Sequence, residues 1–226
     1  MFSQMDFSWL NASAMHLMGR GMLVSLQITA TAIAAGIVLG TLIALMRLSA
    51  MKPLRAAAVL YVTMFRSVPL VMVLLWFFLI VPQLLQALFD LSPSTDLRFT
   101  SALIAFALFE SAYYSEIIRA GIQSVSTGQL NAAYALGMTY PQAMLMVILP
   151  QAFRNMLPLF LTQGIILFQD TSLVYVIALS DFFGQTYGIG LRNGDIVETL
   201  FFVGAVYFAI CYSASLFARH CRHRKA

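Results

Sequence analysis

Charge is scarce in this sequence. Only 10% of its 226 residues are Asp, Glu, Lys or Arg, against about 25% in a soluble domain. With 61% hydrophobic residues and a mean hydropathy of +0.85, the chain cannot cover a water-facing surface, which excludes a soluble fold and leaves an all-α integral membrane protein. Cysteine is nearly missing: Cys211 lies in an apolar run and Cys221 in a basic tail, so neither a disulfide framework nor a metal pair is indicated. Histidine occurs only in the terminal segments, as His16, His220 and His223. No HExxH, GxSxG or Gly-rich phosphate loop is present. The chain is therefore not expected to be an enzyme or to bind a cofactor or metal, and any energy for its work must come from a partner. The net charge of +4 does not imply nucleic acid, because the basic residues sit singly between apolar runs. Only the final RHCRHRKA clusters, as a cytoplasmic stop-transfer tail would.

Five apolar segments are long enough to span a bilayer: about 22–46, 67–89, 99–118, 155–177 and 199–218. The first would make roughly 37 Å of helix at about 1.5 Å per residue and carries Gly36 and Gly40 at GxxxG spacing, a possible packing seam. Residues 1–21, with Asp6, Asn11, His16 and Arg20, lack the layout of a secretory signal and are expected to stay in the mature protein. With the amino terminus outside, the inner side collects Arg47, Lys52, Arg55, Arg66, Arg119, Arg154, Arg219, Arg222, Arg224 and Lys225, and the outer side keeps Arg20, Arg98 and Arg192. This bias predicts an amino terminus on the outer side and a cytoplasmic carboxyl terminus.

Three carboxylates lie within or at the edge of spans, where each costs at least about 2.5–3.5 kcal/mol at the bilayer centre, so they must face protein or water. Glu116 stands at i, i+3 from Arg119, the spacing of a helical ion pair. Glu110 can bond a tyrosine of a neighbouring helix or line a polar cavity. Asp170 sits beside Gln169, Thr171 and Ser172, a density of polar groups that suits a water-filled cavity or a locally opened helix. A structural tie between spans is the other reading.

The stretch 126–150, STGQLNAAYALGMTYPQAMLMVILP, is uncharged, yet Pro141, Pro150 and its polar first half argue against a continuous span. Residues 128–150 resemble the EAA loop of permease subunits of bacterial ATP-binding-cassette importers, with Ala132, Ala133, Gly137, Ile148, Leu149 and Pro150 matching. FRSVPLVMVLLWF at 65–77, YSEIIRAGIQSV at 114–125 and QDTSLVYVIALSDFF at 169–183 are similar to other landmarks of the polar amino-acid branch, and within it to the permeases of glutamate/aspartate importers. Two departures stand out: Asn131 replaces the loop's glutamate, and Gln169 replaces a basic residue that often precedes DTSL.

The resemblance implies a type I importer permease of the bacterial inner membrane, one domain over 1–226, forming the translocation path for an acidic amino acid, with another polar amino acid or an ion-coupled carrier as alternatives. It implies as partners a cytoplasmic ATP-binding subunit that uses the ATP, a second related permease, a periplasmic solute-binding protein and membrane lipid, and no nucleic acid. Thr127–Met138 would be the coupling helix, with Gly128, Asn131, Ala132, Ala133, Tyr134 and Gly137 at the ATPase contact. Leu130, Ala133, Tyr134 and Gly137 would form its docking face, and Asn131 could cap the helix or bond across the contact. Glu110, Gln169, Asp170, Thr171 and Ser172 would line the path.

Overall fold

The computed structural model of the chain describes residues 9–223. Asp6 and the tail side chains from His220 onward, Cys221, Arg222, Arg224 and Lys225 included, lie outside the described residues. All regular structure among the described residues is helical: α1 (Ala12–Leu48), α2 (Lys52–Ser67), α3 (Leu70–Phe89), α4 (Arg98–Gln123), α5 (Thr127–Ala135), α6 (Tyr140–Ala143), α7 (Leu149–Asp170), α8 (Phe182–Asn193) and α9 (Ile196–His223). A π-helical turn, Met144–Ile148, joins α6 to α7, and a 3₁₀ segment, Thr171–Ile177, extends α7. Five of these stretches are long and apolar enough to cross a membrane: α1, α3, α4, the rod 140–177 and α9.

The centre of the bundle is the contact of α1 with α4. Along α1 the buried face reads Ser25, Ile28, Ala32, Gly36, Gly40, Ala44, mostly small residues that recur every three or four positions. Such a stripe lets a second helix approach closely where no hydrophobic effect drives helices together in lipid. Tyr114 of α4, fully buried, fills the groove that Gly36 and Gly40 leave open. The expected GxxxG seam is thus an intramolecular one.

Two helices sit where the sequence suggested loops. Between Arg47 and Arg66, α2 starts with Pro53 in its first turn, a position that needs no N–H donor, and buries Ala58, Val62 and Phe65 on one face. At 16 residues it is too short to cross a bilayer. The chain breaks at Val68-Pro69 before α3, because the residue before proline is pushed out of the helical region. The other is α8, whose start is set by Asp181.

The fourth span starts earlier than the expected 155. Pro141 stands in the first turn of α6, and Pro150 follows the π-helical turn, whose wider winding relieves the clash of its ring with the preceding turn. Neither proline interrupts the rod, which runs from Tyr140 to Ile177. The break in the stretch 126–150 comes only between α5 and α6.

At the end of the bundle opposite the basic loops, Arg98 clasps Asp96 through Nε and Nη2, at 2.9 and 2.6 Å, and donates from Nη1 to the Ala178 carbonyl at 2.7 Å. These bonds hold the Asp96 carboxyl down at about 2. They also satisfy the end of the 3₁₀ segment, where Ala178 takes a left-handed conformation.

Candidate functional site

A cleft of about 560 Å³ opens between the α2–α3 break, α4 and α7, lined by Arg66, Pro69, Tyr113, Gln163, Asp170 and Leu173 among others. Its position follows from the helix interruptions. Ending α2 at Ser67 brings Arg66 to the cleft's edge, and the tightening of α7 into a 3₁₀ segment after Asp170 sets that carboxylate at a helix terminus facing the same space. The Asp170 side chain makes no hydrogen bond or ion pair with any described residue.

Of the five residues expected along the path, only Asp170 lines this cleft. Glu110 is fully buried behind it, where its oxygens accept from Gln163 Nε2 at 3.3 and 3.0 Å. Its partner is thus a glutamine that itself faces the cleft, not a tyrosine. Thr171 is fully buried and donates back to the Phe168 carbonyl at 2.7 Å. Gln169 is exposed away from the cleft, and Ser172 donates to the Gln169 carbonyl at 2.8 Å. The hydroxyls of Thr171 and Ser172 are thus absorbed by the local backbone where the α-helix gives way to 3₁₀.

Sequence spacing found the pair Glu116–Arg119, at 3.0 Å and 2.8 Å from Nε and Nη2 to Oε2. It missed that Arg47 of α1 and Arg66 of α2 meet the other oxygen, Oε1, at 2.7 and 3.1 Å. One carboxylate of α4 therefore gathers three guanidiniums from three helices. Arg66 also lies 5.6 Å from the ring centre of Tyr113, a cation–π contact.

A second, polar cleft of about 650 Å³ opens between the end of α4, α5 and the start of α7, around Ser124, Gln129, Gln151, Arg154 and Asn155. Asn155 Nδ2 donates to Ser124 Oγ at 2.8 Å, tying the end of α4 to α7, and Gln151 Nε2 reaches Gln129 Oε1 at 3.4 Å, tying α5 to the same helix, which carries Gln163 and Asp170.

α5 differs in detail from the expected coupling helix. Ser126 caps it, accepting from the Gly128 amide at 3.2 Å, so Asn131 is mid-helix and not a cap. Ala133 is 2% exposed and, with half-buried Leu130, faces the bundle, whereas Gly128, Asn131, Ala132, Tyr134 and Leu136 look outward. Small residues turn inward because the helix must lie close to the π-helical turn. The expected docking face of Leu130 and Ala133 is therefore the packed face. Gly137 does not belong to a face at all: with φ +77° it ends the helix, its amide bonding the Tyr134 carbonyl at 2.9 Å and the Met138 amide the Ala133 carbonyl at 3.1 Å.

A buried carboxylate that the sequence reading left unassigned, Asp181, caps α8. It accepts from the Gly184 and Phe183 amides at 2.8 and 3.2 Å and from Ser25 Oγ at 3.3 Å, against Gly21 of α1 and beside Tyr207 of α9. An Asp just before a new helical run was the available signal. Burial pushes its carboxyl up to about 6. Because that folded value exceeds the ordinary one of 3.8, its proton favours the fold below pH ~4 and this contribution is lost as pH rises through ~6. Asp181→Asn keeps a capping oxygen, so the fall in thermal stability between pH ~4 and ~6 should flatten in this variant. An unchanged pH profile of the unfolding midpoint would rule this out.

The family described as binding-protein-dependent transport system inner membrane component matches residues 36–226. The chain is 56% identical, over 99% of both sequences, to the glutamate/aspartate import permease protein GltK of Escherichia coli O157:H7. It is 34% identical to the arginine transport system permease protein ArtQ of Bacillus subtilis, over 84% of each. Among solved structures, an amino acid ABC transporter crystallised with histidines aligns with TM-score 0.80 at 33% identity, covering 93% of this chain and 94% of that one. The MetNI methionine ABC transporter, at 19% identity and TM-score 0.70 over 93% and 99%, shares the fold. The chain is a multi-helix transport component with the type I importer permease fold, and it belongs to the inner membrane components of binding-protein-dependent transport systems.

Proposed function

We propose that this permease forms part of the path for an acidic amino acid, glutamate or aspartate, and that the cleft is where the solute rests in transit. The observation that carries the reading is the pairing of an unpartnered carboxylate, Asp170, with a guanidinium, Arg66, in the lining of one cleft. An α-ammonium group suits the first and a carboxylate the second. The 56% identity to a glutamate/aspartate permease supports the acidic substrate. Glu110 acts from behind, holding Gln163 toward the solute, and Gln169, Thr171 and Ser172 support the turn that carries Asp170.

The amino terminus lies in the periplasm, where a binding protein delivers the solute, and a second related permease completes the path. A separate cytoplasmic ATPase uses the ATP, while this chain binds no cofactor. The outward face of α5, with Asn131, Ala132, Tyr134 and Leu136, enters a groove on that ATPase, the helix-in-groove mode of recognition. Movement of α5 passes through the Gln129–Gln151 bond to α7, and so to Asp170. Asn131 offers the ATPase hydrogen bonds where the family's glutamate would offer charge.

The reading is tested in proteoliposomes with the complete transporter and its binding protein. ATP-dependent, vanadate-sensitive uptake of L-glutamate or L-aspartate is expected; ATP-independent uptake, or transport confined to neutral or basic amino acids, would refute it. Leu136 is 79% exposed, so Leu136→Asp should leave folding and insertion intact yet reduce ATPase copurification and uptake at least about tenfold, a charge being poorly tolerated in an apolar groove. Normal copurification and uptake would remove α5 from the coupling contact.

A further inference from the structure

The arginines around Glu116 are not equivalent. Arg47 is enclosed, its side chain only 12% exposed, and its Nη1 lies nearest Oε1, at 2.7 Å. Arg119 grips Oε2 through two nitrogens and is steadied by Gln123 Oε1 at 2.6 Å. Arg66 makes the longest ion-pair contact, 3.1 Å, keeps 46% of its side chain exposed and is the one of the three that lines the cleft. If Arg66 left, Glu116 would still have a guanidinium on each oxygen. The cluster also carries three positive charges against one negative, an excess positioned to draw an anion.

We propose that Arg66 is a substrate-selecting residue: it leaves Glu116, whose charge Arg47 and Arg119 continue to hold, and donates to the side-chain carboxylate of an acidic amino acid in the cleft. Tyr113, under the guanidinium, supports it in both positions. This inference rests on the proposed acidic substrate and adds the group that separates glutamate from glutamine. A planar fork with paired donors fits a carboxylate on two bonds, whereas the neutral amide can accept on only one oxygen. The exchange is cheap because Arg47 and Arg119 stay on Glu116 while Arg66 turns to the solute, so no buried charge is left bare.

The test measures equilibrium binding of labelled L-glutamate and L-glutamine to the purified transporter complex without its binding protein. Arg66→Gln is expected to weaken L-glutamate about 10- to 100-fold, the usual effect of losing a hydrogen bond between charged groups, and L-glutamine by no more than about threefold. Arg66→Lys, which keeps charge without the fork, should fall between. Equal losses for both ligands, or undiminished glutamate binding by Arg66→Gln, would overturn the assignment while leaving the acidic substrate standing. Failure of Arg66→Gln to assemble would also overturn it, since Arg66 would then be indispensable to Glu116. If the unmodified complex binds neither ligand and takes up neither L-glutamate nor L-aspartate with its binding protein present, the substrate reading falls and this inference with it.

Discussion

Gly40→Leu is expected to separate α1 from α4 and to cost about 3 kcal/mol or more, at or beyond the upper end of overpacking substitutions. A Cβ at this position would stand 2.8 Å from Tyr114 Cβ, 3.0 Å from the Ser111 carbonyl oxygen and 3.0 Å from the Ser115 amide nitrogen. Two of the three obstacles are backbone, so no rotamer change on α4 can relieve them. The helices must move apart, and Tyr114, enclosed against the seam, loses its packing. Gly19, on the same helix, has nothing within 4 Å of an added Cβ, which makes Gly19→Leu the internal control for glycine replacement itself. Thermal unfolding of the two purified variants should show a large loss for Gly40→Leu and little change for Gly19→Leu. Equal midpoints would mean that the seam carries no packing energy.

The seam was legible because glycine spacing is local and directional: residues four apart lie on one face of a helix whatever else the chain does. The spans were legible for the same kind of reason, since an apolar run of sufficient length has few other uses. The site was legible only in part. Asp170 stood out as a carboxylate in an apolar setting, but whether Gln169, Thr171 and Ser172 share its cleft depends on where α7 tightens to 3₁₀, and no composition marks that point. Arg47 and Arg66 reach Glu116 from other helices, with no periodicity to announce them. α5 shows a different failure. Its apolar pattern suggested that Leu130 and Ala133 face a partner, whereas the need for close approach to the π-helical turn turned Ala133 inward and left Tyr134 and Leu136 outside.

Glu116→Ala should have the other large effect, because it removes the carboxylate that three arginines share. Losing one partner of a largely enclosed ion pair costs about 3–5 kcal/mol, mostly as the penalty of the charge left behind. Arg47 bears that penalty: its side chain is 12% exposed, and its charge partner is Glu116. Arg119 retains Gln123, and Arg66 retains solvent and Tyr113, so their contribution is smaller. Glu116→Gln, which keeps the hydrogen-bonding shape without the charge, should lose less. The pair Arg47→Met with Glu116→Leu should recover much of the loss, since an apolar pair of similar volume often replaces an enclosed ion pair without penalty. Unfolding midpoints of the four proteins, unmodified, Glu116→Ala, Glu116→Gln and the double variant, decide the point. If Arg47→Met with Glu116→Leu is no more stable than Glu116→Ala, the cost lies in lost contacts around α4 and not in a stranded charge. Should the charge account hold, Glu116 is the junction at which α1, α2 and α4 are held together, with Arg47 and Arg119 as its fixed arms and Arg66 as the arm that the cleft can borrow.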